Sequence, residues 1–163
     1  MTLGLAALCA PAKAARDDQH YVNQRYAYHL TYPANLLRPQ ALAPASATTP
    51  EDGGRRFADA SGRVTLAVWG MSNLAGASLQ EMAQSLRRQC SPRGKVQMSV
   101  DGDRAVLACA VGHDMVYEKI IGNHSRFAFL RLSYPATQNR RWEPRARTIG
   151  ASFEFLKPSA RTR

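Results

Sequence analysis

Residues 78–111 read SLQEMAQSLRRQCSPRGKVQMSVDGDRAVLACAV, and this stretch decides the fold. Ser78 with Glu81 three residues later has the spacing of a capping box and starts a helix. Along it Leu79, Met82, Ala83, Leu86 and Cys90 recur at helical intervals as one apolar stripe, and Pro92 with Gly94 ends the run. Two β-forming runs follow, 96–100 and 104–111, joined by the turn Asp101-Gly102-Asp103. In the second run Leu107, Cys109 and Val111 share a face. A helix laid on a sheet turns both apolar faces into one layer, so Cys90 and Cys109 are expected to converge and pair; two buried free thiols are the alternative.

Outward from this core the pattern stays α+β. Upstream, residues 26–32 alternate apolar and polar side chains up to Pro33 and read as a first strand. The stretch 36–54, with Pro39, Pro44 and Pro50, reads as a long loop. Residues 55–60, the Ser61-Gly62 turn and residues 64–69 read as a hairpin with Val64, Leu66 and Val68 on one face. Downstream, residues 115–121 and 126–134 are two more strands with Gly122-Asn123-His124 as their turn. A last helix after Gln138 places Trp142, Ala146, Ile149 and Phe153 on one stripe, Pro144 disturbs its start, and residues 153–156 suit an edge strand. The expected architecture is an antiparallel sheet of about six to seven strands covered by two main helices.

With 163 residues, 45% apolar and 21% charged, the chain suits one globular domain and not a disordered segment. The first fourteen residues hold an apolar run from Leu3 to Ala10, then Pro11 and the small-x-small sequence Ala12-Lys13-Ala14. That order predicts a secretory signal peptide at 1–14, although no Lys or Arg precedes Leu3. The run is too short for a membrane span, and Leu8 occupies the position where a lipobox around Cys9 needs a small residue, which disfavours lipid anchoring. Cleavage after Ala14 removes Cys9 and leaves Cys90 and Cys109, an even number suited to an oxidising compartment, periplasmic or extracellular. The organisation expected is therefore a leader at 1–14, a tether at 15–24, one domain at 25–157 and a disordered basic tail at 158–163.

Tyr32-Pro33, Gly54-Arg55-Arg56-Phe57, the Asp59 to Gly62 turn, Tyr134-Pro135 and the closing Ile149-Gly150-Ala151-Ser152-Phe153 form a set of positions along the chain. Together they resemble the PsbP-like α/β/α sandwich superfamily, which includes proteins of the DcrB kind. The resemblance spans most of the chain from Tyr26 to Phe155 and implies a scaffold used by non-enzymatic proteins: photosystem extrinsic subunits, periplasmic proteins and secretion chaperones. It carries no site motif onto this sequence, and fold analogy does not give function.

The residues themselves argue against catalysis. No G-x-S-x-G turn occurs, and Gly76-Ala77-Ser78 is explained as a helix cap. His20, His29, His113 and His124 lack ligand spacing; His113-Asp114 with His124 is the best metal candidate and reads more simply as turn residues. Asp101 and Asp103 lack the remaining ligands of a calcium loop, and Glu118 and Glu143 are isolated acids. No phosphate loop is present, so neither a cofactor nor a metal is implied.

The positive signal is charge: +10, from 22 Lys+Arg against 12 Asp+Glu, with only Lys13, Lys95, Lys119 and Lys157 as lysines. Arginine forks suit carboxylate or phosphate, and a solvated basic face with no partner is the plain alternative. Arg87 and Arg88 on one helix, and Arg140, Arg141, Arg145 and Arg147 on the other, are the candidate anion- or partner-binding residues. The aromatic-interleaved basic motifs of RNA binders are missing, which disfavours nucleic acid. The function expected is an exported, non-enzymatic module that binds another protein or an anionic envelope component. An immunity or inhibitor protein acting on a toxin or cell-wall enzyme is the second expectation, and the sequence sets no oligomeric state.

Overall fold

The computed structural model describes residues 17–41 and 54–157. The expected leader and tail lie outside the described residues. The first element is a strand, β1 (Asp18–Asn23), paired antiparallel over its whole length with β2 (Tyr28–Pro33). This corrects the tether expected at 15–24. β1 is polar and mostly exposed, so it shows no apolar alternation, and its pairing comes from β2. β2 starts two residues later than expected. Ala27 takes φ +50°, and Asn23 Oδ1 accepts the Tyr26 amide at 2.9 Å, so 24–27 close as a turn.

After β2 come β3 (Arg38–Pro39), β4 (Arg55–Ala58), β5 (Thr65–Ser72) and helix α1 (Leu79–Arg87). Four long strands follow, β6 (Val96–Asp101), β7 (Arg104–Val111), β8 (Asp114–Gly122) and β9 (Arg126–Pro135), then α2 (Asn139–Ser152) and β10 (Glu154–Phe155). Two sheets result. A seven-stranded antiparallel sheet has the order β3-β4-β5-β9-β8-β7-β6, and a smaller one has the order β1-β2-β10. The strand count and the two helices agree with the expected α+β fold, but β2, expected in the main sheet, belongs to the small one, and β10 is its third strand.

Each face of the large sheet builds its own core. On β9, Phe127 and Phe129 point one way, where they meet Ile120, Ala105 and the Leu79, Met82, Ala83, Leu86 stripe of α1. Trp69 stacks on its cross-strand partner Phe129 in that layer, ring centroids 5.1 Å apart. The alternate residues Ala128, Leu130, Leu132 and Tyr134 join Leu66, Val68, Tyr28, Leu30, Trp142, Ala146 and Ile149 in a larger core under α2 and the β1–β2 hairpin. β9 is therefore buried on both faces, which explains its near-continuous apolar sequence. The molecule is layered helix, sheet, then helix with hairpin.

The capping box is present: Ser78 Oγ accepts the Glu81 amide while Glu81 Oε2 accepts the Ser78 amide at 2.7 Å. The helix stops at Arg87, so Cys90 lies in the turn beyond it and not on the helical stripe itself. It still reaches the α1 side of β7: Cys90 and Cys109 form a disulfide with Cα atoms 5.8 Å apart and a sequence separation of 19. Closing a loop of that size stabilises the domain by about 3 kcal/mol through the unfolded chain.

Candidate functional site

α2 is a ridge between two clefts. Its inner side buries Trp142, Ala146, Ile149 and Gly150, while Pro144, Thr148 and all its arginines are exposed. The 3.6-residue period sends Arg141, Arg145, Thr148 and Ser152 to one flank and Arg140, Glu143 and Arg147 to the other.

The first flank walls a cleft of about 590 Å³ between α2 and the β1–β2 hairpin, lined among others by Asp18, Thr31, Asn35, Arg145, Thr148 and Ser152. Its floor is tied across the two elements. The Thr31 amide donates to Ser152 Oγ at 2.9 Å, and that hydroxyl lies 3.2 Å from the Thr31 carbonyl. Arg145 donates to the Arg141 carbonyl, and both guanidinium carbons lie 5.9 Å from the Trp142 ring centroid. Neither arginine has a carboxylate partner among the described ion pairs. Asp18 lines the cleft from β1 and Arg145 from α2, so the cleft has a cationic and an acidic wall.

The second flank borders a groove of about 410 Å³ over the sheet, with Gln97, Ser99, Ala108, Tyr117, Glu143 and Arg147 among its lining. Here the charge is compensated internally, since Arg147 Nη2 sits 2.8 Å from Glu143 Oε1 one turn away.

The structure separates the arginines that the sequence grouped as candidates. Arg87 and Arg88 end α1 on one face of the large sheet, and Arg140, Arg141, Arg145 and Arg147 lie on α2 over the other. His113 and His124 fall in the turns at opposite ends of β8, roughly 26 Å apart at strand rise, so the best metal candidate does not assemble. Asp18, Thr31 and Asn35 escaped sequence reasoning. They come from the presumed tether, a strand and a turn, and become a wall only when α2 packs against them.

Two adjacent charges on β8 serve the core. Glu118 points toward α1, 3% exposed, with Arg131 Nη1 3.1 Å from its Oε1; the contact is an ion pair, not a well-aligned hydrogen bond. Arg131 also donates to Gln89 Oε1 at 2.8 Å. Burial pushes the Glu118 carboxyl above its ordinary value, and Arg131 opposes that shift. Lys119 points the other way and caps α2, its Nζ donating to the Gly150 and Phe153 carbonyls at 2.8 and 2.9 Å. Burial lowers its pKa, assisted by Arg104 and opposed by Glu154 and Asp103. Neither residue lines a described cleft.

The layering defines a PsbP-like α/β/α sandwich. The solution structure of cyanobacterial PsbP (CyanoP) from Synechocystis sp. PCC 6803 superposes with a TM-score of 0.62 at 14% identity, covering 92% of this chain and 98% of that one. A crystal structure from Bacteroides thetaiotaomicron VPI-5482 gives 0.55 at 9% identity, covering 85% of this chain and 48% of that one. At such identities the likeness establishes the fold. No family model matches the sequence, and no curated protein matches it.

Proposed function

We propose that this chain is an exported, non-enzymatic binding module that holds a protein partner in the cleft between α2 and the β1–β2 hairpin. The observation that carries this reading is Arg145, which has no carboxylate partner among the described ion pairs, set opposite Asp18 across an open cleft of about 590 Å³, with Arg141 one turn away on the same flank of α2. Arginine forks suit a carboxylate or phosphate, and Asp18 asks for a donor or cation nearby. A protein segment carries both signs, whereas a uniformly anionic lipid surface would meet repulsion from Asp18. Export is supported by the Cys90–Cys109 disulfide, a bond kept in oxidising compartments. Among the described residues no helix is long and apolar enough to cross a membrane. The non-enzymatic reading is supported by the buried acid Glu118 being spent on Arg131 under α1, away from either cleft. The inhibitor alternative gains no observation of its own.

The test is paired capture from envelope extract at low and high salt with the wild type, an Arg141→Glu/Arg145→Glu variant, and Arg87→Glu/Arg88→Glu on the opposite face as control. Proteins retained by the wild type and the control, and lost from the α2 variant, are the expected result. Equal retention by all three would overturn the reading. Binding of phosphatidylglycerol vesicles that is lost with the same α2 variant would reassign the partner to lipid. The mass of the chain recovered from cells tests removal of residues 1–14.

A further inference from the structure

β6 is an edge of the large sheet that no described residue covers. Its backbone polarity follows from the hairpin it makes with β7. A two-residue turn with Gly102 at φ +56° makes Asp101–Arg104 a hydrogen-bonded pair, so Ser99–Val106 and Gln97–Ala108 are hydrogen-bonded pairs as well. Two bonds agree with that phase: Asp103 O accepts the Gly122 amide of β8 at 2.8 Å, and Ala110 O, pointing to the β6 side, accepts the Ser91 amide at 2.8 Å. Val96, Met98 and Val100 therefore turn their N–H and C=O groups outward. The strand between Lys95 and Asp101 contains no charge and no proline, the usual guards of an open edge. At the opposite edge β3 has two residues, one of them Pro39.

We propose that the occupant of this edge is β6 of a second copy of the chain, paired antiparallel about a two-fold axis through Met98. In that register Met98 faces Met98 and Val96 faces Val100, each a hydrogen-bonded pair, for about six backbone hydrogen bonds across the junction. Gln97 faces Ser99. Lys95 of each copy falls opposite Asp101 of the other, so the strand is complementary to itself in charge as well as in backbone phase. Sliding by two residues either way keeps the phase but loses two of those bonds and both Lys95–Asp101 contacts.

The two-fold axis runs perpendicular to the sheet, so both α2 helices stay on the same side. Gln97 and Ser99 line the groove beside α2, and pairing merges the two grooves into one trough walled by both helices. The dimer does not depend on what the α2 cleft binds.

Sedimentation velocity of the purified full chain over a concentration series tests the proposal. A concentration-dependent dimer is expected for the wild type. Asp101→Lys should weaken it roughly tenfold by replacing two attractions with two repulsions, and adding Lys95→Asp to that variant should restore it. Val100→Pro removes an outward N–H without touching the ladder to β7, so it should give a monomer with unchanged circular dichroism. A wild type that stays monomeric at every concentration overturns the proposal. So does a dimer indifferent to both the charge reversal and the proline.

Discussion

Gly150→Ala in α2 should destabilise the domain, although alanine is the better helix former by about 1 kcal/mol. Gly150 is buried, and a Cβ built there meets Tyr117 Oη in hard overlap and lies 2.7 and 2.8 Å from Tyr117 Cε1 and Cζ. The phenol reaches across from β8 and rests on the helix backbone where only hydrogen leaves room. Tyr117 lines the open groove on its other side, so the ring has somewhere to go, but moving it surrenders its packing against the α2 core. Overpacking of this kind costs about 1–3 kcal/mol, and set against the propensity gain it leaves a net loss of up to about 2 kcal/mol. Urea denaturation with the disulfide intact measures it. In a Tyr117→Ala background the clash is gone and the sign should reverse, with Gly150→Ala stabilising by up to about 1 kcal/mol. An increase in stability from Gly150→Ala in the wild type, or the same effect in both backgrounds, would refute the reasoning.

Lys119→Met keeps the aliphatic stem but leaves the Phe153 carbonyl and one acceptor site on Gly150 without their donor at the end of α2. Hydrogen bonds from a charged donor are worth about 1.5–3 kcal/mol each, and relief of the buried charge offsets part of that, so denaturant midpoints should report a loss of about 1–3 kcal/mol. A more stable variant would mean that burial of the ammonium dominates. Glu118→Gln tests the opposite face through pH. Because burial raises the Glu118 pKa above its ordinary 4.5, the folded protein binds the proton more tightly than the unfolded chain. Wild-type stability contributed by this group is therefore present below that value and falls as pH rises above it. The stability difference between the two proteins should shift toward the Glu118→Gln variant as pH rises from below 4.5 toward neutrality, and parallel profiles across that interval would show that the carboxyl does not titrate as argued.

Local chemistry alone determined the elements whose partners lie nearby in sequence. The Ser78–Glu81 capping box, the Asp101-Gly102-Asp103 turn and the Trp142, Ala146, Ile149 stripe all appear where the residues place them, because caps, turns and amphipathic faces are decided within a few residues. The Cys90–Cys109 bond forms as expected, but by a different route: Cys90 reaches β7 from the turn after α1 and not from the helical stripe. What periodicity cannot state is which surface a face is buried against. β1 is polar and held by its ladder to β2, so it carries no signal of its own. The division into two sheets, the opposite placement of Arg87–Arg88 and the α2 arginines, and the wall made by Asp18, Thr31 and Asn35 all depend on long-range packing. Tertiary structure decided them because a helix or strand specifies an apolar face, while its neighbour is chosen only when the whole chain has found room for every such face.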